Sequence, residues 1–196
     1  MEKQKTQLRQ KQIKKAVLQI ISTKGLGKLT TRNLAEKVGL TEGALFRHFK
    51  SKKEILLSII DDVKTVLLAE QEKIIKSELK ASEKLFEFLC VHVKYLIKNK
   101  GITILLFSEA THLDDLQMKN SLFEILSSQK EWFKQIVKQG IKEGRWDKKV
   151  DVDGIATMYM GIPVILNIEL ILNKSGFKQG PFCKKLTTLL ERTLRA

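Results

Sequence analysis

The side chains best suited to chemistry cluster in one short stretch, residues 29–53, where hydroxyls and cations alternate with small residues. Hydroxyls and cations bind phosphate oxygens, and a forked guanidinium fits the pair of acceptors on the edge of a guanine. A position without a side chain lets another molecule approach the backbone closely. The outward-facing positions of the stretch are Thr31, Arg32, Thr41, Glu42, Gly43, Ala44, Arg47 and His48. Together they predict contacts to a nucleic-acid duplex.

The spacing of apolar residues predicts two short helices that position these side chains. Thr30 can cap the first helix, because its hydroxyl can accept a hydrogen bond from an amide one turn in. Gly39 ends that helix, since only glycine takes a left-handed backbone without steric cost, and Thr41 opens the second. The inner faces carry Leu34, Ala35, Val38, Leu45 and Phe49. This is a helix-turn-helix whose second helix can enter a DNA major groove.

The run TTRNLAEKVGLTEGALFRHFKSKKEIL, residues 30–56, resembles the DNA-binding signature of the TetR/AcrR family of bacterial transcriptional repressors. The shared features are a Thr-rich start, an Ala in the first helix, a Val-Gly turn and a Thr-x-Gly-x-Leu-aromatic-x-His-Phe helix, followed by a Lys. With the amphipathic helix before it, the resemblance covers roughly the first quarter of the chain. The rest resembles the family only in length and helical pattern.

The resemblance implies a role for each residue of the motif. It assigns base contacts to Arg32, Thr41, Glu42, Gly43 and Ala44, and phosphate contacts to Thr30, Thr31, His48 and Lys52, with Arg47 and Lys53 as further candidates. Phe46 stands where the family commonly has a tyrosine, so the hydroxyl that usually meets a phosphate is missing. Two alternatives stay open: Glu42 as a helix-dipole residue, and His48 as an ordinary surface histidine.

The positive charge of the chain is concentrated at its N-terminal end. The 196 residues carry a formal net charge of +14, and residues 1–53 hold 14 Lys/Arg against 3 Asp/Glu. The remaining residues hold 22 against 19. Neutralising phosphates requires clustered cations, so double-stranded DNA is the expected partner of this end. The alternative for each isolated lysine is a solvated surface.

The apolar pattern predicts an all-α fold of nine helices. The resemblance implies that they form two domains, residues 1–53 for DNA binding and residues 54–196 for effector binding and dimerisation. With 2 prolines, 11 glycines and 43% apolar residues, the composition favours a folded helical chain. A capping box is expected in which Glu54 reaches back to the Ser51 amide. It opens a long helix, to about Leu79, that links the domains. The helices expected besides those of the motif are 7–24, 82–100, 102–110, 115–143, one from Asp151 or Asp153 to Leu170, and 182–194.

The resemblance also implies a homodimer, formed by the last two helices, that reads half-sites about 34–36 Å apart. It further implies a cavity among the middle helices for a small-molecule effector. Candidate lining residues are Phe88, His92, Phe107, Met118, Phe123, Trp132, Tyr159 and Asn167. Each has the alternative of being an ordinary core residue. Because few charges are available for burial, an apolar ligand such as a fatty acyl group or a hydrophobic drug is expected.

Other classes of protein find less support in the sequence. Cys90 and Cys183 show no paired spacing, which argues against a disulfide scaffold or a zinc site and suits a reducing cytoplasm. No uncharged apolar run of about 18 residues is present, so a membrane span is not expected. Nucleotide, metalloprotease and serine-hydrolase motifs are absent, so neither catalysis, cofactor nor metal is expected. A sequence-independent architectural DNA-binding protein and a ligand-controlled activator stay as alternatives.

Overall fold

The computed structural model describes residues 2–101, 103–172 and 178–195, which form nine helices and no strand. The helices are α1 Glu2–Lys24, α2 Thr31–Lys37, α3 Glu42–Phe46, α4 composed of Lys52–Asp62, Val63–Leu68 and Ala69–Lys76, α5 Ala81–Lys98, α6 Thr103–His112, α7 Leu116–Lys142, α8 Val152–Leu172 and α9 Gln179–Arg195. The all-α prediction is therefore confirmed. Ile102, at the start of one predicted helix, and residues 173–177, between α8 and α9 in sequence, lie outside the described residues.

Local capping explains where the short helices begin. The Asn33 amide donates to Thr30 Oγ1 at 3.1 Å, and the Ala44 amide donates to Thr41 Oγ1 at the same distance. Each threonine thereby satisfies an amide that has no partner within its helix. Gly39 joins the two helices with φ +66°, the left-handed conformation that favours glycine. Both predicted caps and the predicted turn are confirmed.

The start of α4 corrects one detail of the expected capping box. The Glu54 amide donates to Ser51 Oγ at 3.1 Å, as predicted. The Glu54 carboxylate, however, accepts from the Lys50 amide, one residue before the predicted Ser51 amide. The box is thus shifted by one residue on one side, while the helix still begins at Lys52.

The middle of α4 is a π-helical segment, Val63–Leu68, within an otherwise continuous helix. The residues on both sides of it, Asp62 and Ala69, keep right-handed helical backbone angles. Such segments insert an extra residue into a helical turn and often occur at functional positions. Val63 and Leu67 of this segment are buried.

Two clusters of buried side chains form the core. The first joins helices α1–α4 to α6 and the first half of α7, and its α6 and α7 members are Leu106, Ala110, Met118, Leu122 and Ile125. The second joins α5, the second half of α7, α8 and α9. In its centre the ring of Tyr159 stacks on Phe133 with centroids 4.1 Å apart. The helix-turn-helix thus shares a core with α6 and α7, and the proposed domain boundary at residue 53 stays a prediction.

The outer face of α8 carries apolar side chains that the chain itself leaves uncovered. The exposed members are Met158, Val164, Ile165, Ile168 and Leu172. By length and composition alone, α8 would also be able to cross a membrane. In its most apolar 18-residue segment, 33% is buried within the protein. That is weak evidence for a span, because core helices of soluble proteins share these features.

Candidate nucleic-acid interface and ligand cavity

The helix-turn-helix presents its polar face to solvent. Thr30, Arg32, Thr41, Glu42, Gly43 and Arg47 are exposed, and Thr31, Ala44, His48 and Lys52 are half-buried. Leu45, which lies between them in sequence, is fully buried and anchors α3 to the core. The ten residues predicted to contact DNA thus lie in α2, α3 and the start of α4, or next to these helices, as Thr30, Thr41, Arg47 and His48 do. That they contact DNA remains a prediction.

Two residues of this face, Arg32 and Gly43, are not engaged by any neighbouring side chain that the structure describes. Arg32 is exposed and forms no ion pair among the described residues. A Cβ atom built on Gly43 would meet no other atom within 4 Å, and the backbone there has no left-handed angle. No contact among the described residues therefore requires glycine at position 43, and its role in the close approach of DNA stays a prediction.

Glu42 has a partner within the motif. Its carboxylate accepts a hydrogen bond of 2.7 Å from the hydroxyl of Thr31, which lies in the first turn of α2. The contact fixes the position of α3 relative to α2 and occupies the acidic group. This favours a structural part for Glu42 in the first turn of its helix over readout of a cytosine.

The surroundings of His48 are more enclosed than its place in the motif suggests. Its Nδ1 is buried without a hydrogen-bond partner among the described residues, and its carbonyl oxygen accepts from Gln10 Nε2 at 3.0 Å. The hydrogen bond from Gln10 connects the turn after α3 to α1. Phe46, the residue that departs from the family pattern, is 41% exposed beside it.

The two lysines at the start of α4 are held by carboxylates of the body. Lys52 Nζ lies 2.7 Å from Glu109 of α6, whose side chain is only 5% exposed. Lys53 Nζ lies 2.6 Å from Asp115, the cap of α7. The hydrogen bond from Lys53 lowers the pKa of Asp115 below its ordinary value. A phosphate contact by Lys52 therefore competes with an existing ion pair.

A cavity of about 290 Å³ lies where α4, α5, α6, α7 and α8 meet. Its wall consists of Val63, Leu67, His92, Leu96, Thr103, Ile104, Leu106, Phe107, Leu122, Ile125, Leu126, Gln129, Met160, Pro163, Val164 and Asn167. The π-helical segment of α4 contributes the first two. Of the eight candidate lining residues, His92, Phe107 and Asn167 belong to this wall.

The other five candidates lie elsewhere, so the lining set is revised. Phe88 and Tyr159 are fully buried in the second core cluster, where their ring centroids are 5.8 Å apart, and Trp132 packs against that cluster. Met118 is buried in the first cluster, and Phe123 is 70% exposed. A helical period identifies which face is buried, and it does not distinguish a cavity wall from solid core.

Neutral polar groups interrupt the apolar wall at two places. Gln129 Nε2 donates to Gln71 Oε1 at 3.0 Å and lies 3.4 Å from His92 Nδ1. On another part of the wall, the Thr103 hydroxyl donates to Asn167 Oδ1 at 2.7 Å. The sequence contained a signal for Gln129, because it is a polar residue on the buried stripe of α7 between Ile125 and Phe133.

The described residues contain no group of three or more His, Cys, Asp or Glu side chains that could hold a metal ion. Cys90 and Cys183 are free thiols. Burial is the largest cause that raises the pKa of each thiol, and the hydrogen bond between the two side chains shows that α5 and α9 bring them into contact. The spacing of these two cysteines, 93 positions apart, did not predict this contact.

Comparisons with known proteins match this architecture. Residues 13–59 match the family described as bacterial regulatory proteins, tetR family. The nucleoid occlusion factor SlmA of Vibrio atlanticus (strain LGP32) is 29% identical over 181 residues, which are 88% of each chain.

Solved structures share the fold over nearly the full chain. The ketosteroid transcriptional regulator KstR2 of Mycobacterium tuberculosis superposes with a TM-score of 0.81 at 17% identity, covering 96% of this chain and 95% of its own. The transcriptional regulator FadR from Bacillus subtilis, in complex with stearoyl-CoA, superposes with a TM-score of 0.73 at 22% identity, covering 94% and 98%.

The matched segment, residues 13–59, contains α2 and α3, the second half of α1 and the start of α4. The nine helices of the described residues together have the same fold as solved regulators. The helix-turn-helix segment therefore belongs to the tetR family of bacterial regulatory proteins, and the chain as a whole has the fold of solved transcriptional regulators. The relatives named above are described as regulators or as a nucleoid occlusion factor, and not as enzymes.

Proposed function

We propose that the chain is a repressor that binds a palindromic operator as a homodimer and leaves it when a small apolar effector enters the cavity. The observation that carries the proposal is the open face of the helix-turn-helix, at the end of the chain where 14 Lys/Arg face only 3 Asp/Glu. A basic surface of this kind supplies affinity for phosphates, and the side chains on it supply sequence preference.

On this proposal the recognition face divides its work between bases and phosphates. Arg32 reads a guanine edge, while Gly43 allows the backbone of α3 to approach a base edge or a thymine methyl group. Thr30 and Thr41 accept hydrogen bonds from helix amides through their oxygens. Each hydroxyl keeps its own hydrogen. While it caps its helix, Thr30 can therefore donate to a phosphate oxygen and Thr41 to an acceptor on a base edge.

The homodimer forms through α8 and α9. The uncovered residues on α8 repeat at intervals of seven, from Met158 to Ile165 to Leu172, and Leu189 of α9 is 46% exposed. Large apolar stripes of this kind are typical of interfaces between chains. A second copy would cover the stripe and place the two helix-turn-helix units (the reading heads, α2 and α3 of each copy) side by side. Half-sites one helical turn apart require this arrangement.

The cavity is proposed as the effector site because its wall belongs to the elements that hold the reading head. Val63 and Leu67 come from α4, whose first turn supports the helix-turn-helix. Phe107 comes from α6, which also carries Glu109, the partner of Lys52. A ligand that fits only one arrangement of these helices shifts the population of the other. KstR2 is a ketosteroid regulator, and FadR was solved with stearoyl-CoA, so these structural neighbours also favour an effector with an apolar body.

The deciding experiment is selection of DNA fragments from a random pool by the purified protein, followed by affinity measurements at two salt concentrations. A specific regulator should enrich a palindrome and bind it about 10³-fold or more tightly than random DNA. An architectural protein would show a similar affinity for both, with the same steep salt dependence. A reporter gene placed behind the selected operator then distinguishes repressor from activator. When the gene for this protein is deleted, reporter expression should rise if the protein is a repressor and fall if it is an activator.

A second candidate function follows from the similarity to SlmA, a nucleoid occlusion factor. Chromosome-wide mapping of binding sites separates the two proposals. A repressor should occupy a small number of promoters and lose them on addition of effector. A nucleoid occlusion factor should occupy sites outside promoters as well, and changes in transcript levels should not follow their distribution.

A further inference from the structure

The cavity wall carries no formal charge. Of its sixteen described residues, twelve are apolar and four are polar, namely His92, Thr103, Gln129 and Asn167. None is a lysine, arginine, aspartate or glutamate. Two charged residues that lie close to the wall in sequence, Lys64 and Glu109, are engaged in ion pairs with other groups.

His92 does not supply a charge at neutral pH. The side chain is 5% exposed, and burial lowers its pKa to about 4. The imidazole that faces the cavity is therefore neutral under physiological conditions, with one ring nitrogen able to donate and the other able to accept a hydrogen bond.

An ionised group entering this cavity would lose its hydration without gaining an opposite charge. Desolvation of an unpaired carboxylate or ammonium is far more costly than desolvation of a hydroxyl or carbonyl that finds a hydrogen bond. The wall therefore discriminates by charge as well as by shape.

The two polar places on the wall differ in how well their groups are satisfied. At the first, Thr103 donates to Asn167, and Asn167 Nδ2 donates to the Pro163 carbonyl at 2.8 Å. At the second, Gln129 lies 3.4 and 3.5 Å from the two ring nitrogens of His92, at the limit of hydrogen bonding. Behind it, the buried Nε2 of Gln71 has no hydrogen-bond partner among the described residues. The second place thus has unused hydrogen-bonding capacity.

We propose that the cavity takes an uncharged ligand, an apolar body with one neutral hydroxyl or carbonyl oxygen that hydrogen-bonds at His92 and Gln129, and that it rejects carboxylates and amines of the same shape. This inference rests on the proposed function, since it assigns a ligand class to the proposed effector site. It narrows that class by excluding free fatty acids, although their chains would suit the apolar wall.

The test is calorimetric titration of the full-length protein with three compounds of equal chain length: decanol, decanoate and decylammonium. The series is repeated at eight and twelve carbons, so that a poor fit in length does not hide the effect of charge. At pH 7.5, decanol should bind at least about 100-fold more tightly than either ion, given the desolvation penalty for an unpaired charge. Operator binding is measured in parallel for each compound.

Two variants on α7 test whether the wall is the cause. Leu126→Arg places a cation at a half-buried wall position. The affinity for decanoate should therefore rise relative to that for decanol, so that the preference for decanol shrinks or inverts. Phe123→Arg adds the same charge about one turn earlier on the same helix, at a position 70% exposed and outside the wall. It should leave the preference unchanged. The wild-type series decides the question even if Leu126→Arg fails to fold.

The outcomes separate this inference from the proposed function. Equal or tighter binding of decanoate by the wild-type protein overturns the charge assignment and leaves an effector role intact. Tighter binding of decanol without release of the operator supports the inference and counts against the proposed function. If none of the compounds binds at any chain length, both are overturned.

Discussion

Gly43 is a position where the free protein and its proposed DNA complex make opposite demands. In the free protein Gly43 destabilises the helix, because glycine loses more backbone conformational freedom on folding than alanine does. No neighbouring atom lies close enough to forbid a side chain there. If DNA is the reason for this glycine, then adding a side chain should improve folding and impair binding.

Gly43→Ala is expected to raise the free energy of unfolding by about 0.5–1 kcal/mol and to weaken operator binding. Gly43→Trp and Arg32→Ala should abolish specific binding while fold and dimer stay intact. For Arg32 the lost guanine contact costs about 1–3 kcal/mol in each half-site, and the dimer loses it twice. Denaturant unfolding and binding to the selected operator are the measurements. Lys148→Ala removes an exposed cation of the body and serves as control. Unchanged operator affinity in all three variants would contradict the assignment of the reading face.

His92 links stability to pH through its burial. The folded-state pKa is about 4 and the ordinary value 6.5, so between these values the unfolded chain binds more protons than the folded one. The contribution of neutral His92 to the free energy of unfolding is therefore fully present above pH 6.5, and it is lost progressively as the pH falls towards 4.

At pH 5 the loss from His92 should amount to about 2 kcal/mol relative to neutral pH. Chemical denaturation at pH 7 and pH 5 measures it, and comparison with His92→Gln removes the contribution of other titrating groups. The variant should be less sensitive to this change of pH by that amount. Parallel behaviour of the two proteins would show that His92 is hydrated in solution.

Helix α6 is the element that connects the cavity to the reading head. One part of it lines the cavity through Thr103, Leu106 and Phe107, and Glu109 near its end holds Lys52 at the start of α4. Breaking a pair of this kind leaves a nearly buried carboxylate without its counter-charge, which costs more than the pair itself contributes.

Lys52→Met should lower the free energy of unfolding by about 1–2 kcal/mol, a value discounted because the lysine is partly exposed. Adding Glu109→Gln should restore most of the loss. Glu109→Gln alone should free Lys52 for phosphate, tighten operator binding and reduce the response to effector. Lys64→Met breaks a more exposed pair with Glu124, and it should change stability by less than about 0.5 kcal/mol. Additive effects of Lys52→Met and Glu109→Gln in a double-mutant cycle would disprove the coupling.

The chain as a unit leaves an apolar stripe open on α8, and this is the strongest indication that it does not act alone. The stripe runs along the helix from Met158 to Leu172 beside the exposed Glu169, and Ile165 at its middle is 56% exposed. Dimer interfaces have an apolar centre from which charges are depleted, so one carboxylate placed there should be poorly tolerated.

Ile165→Glu is expected to convert a dimer to a monomer and to reduce operator affinity, since each monomer then reads only one half-site. Light scattering coupled to gel filtration in the absence of detergent gives the mass. Leu116→Glu, at a position of 72% exposure on α7, is the matched control and should remain dimeric. A monomeric wild-type protein, or a dimeric Ile165→Glu, would place the interface elsewhere.

The parts of this structure that were predictable are those that depend on neighbours a few residues apart. Thr30 and Thr41 cap their helices, and Gly39 takes the left-handed angle, because each acts within one turn of chain. Even here the prediction had limits: the Glu54 carboxylate accepts from the Lys50 amide and not from that of Ser51. Two adjacent amides present nearly the same target, and only the geometry of the turn chooses between them.

The sequence by itself determined the family, the helical content and the basic reading head, because short-range periodicity, caps and charge are properties of local stretches. Tertiary structure alone decided the rest. The pairing of Lys52 with Glu109 joins residues 57 positions apart, and the π-helical segment at Val63–Leu68 appears only in the folded helix. The cavity is the space that five helices leave between them. Its wall depends on how their buried faces fit together, which a helical period cannot specify.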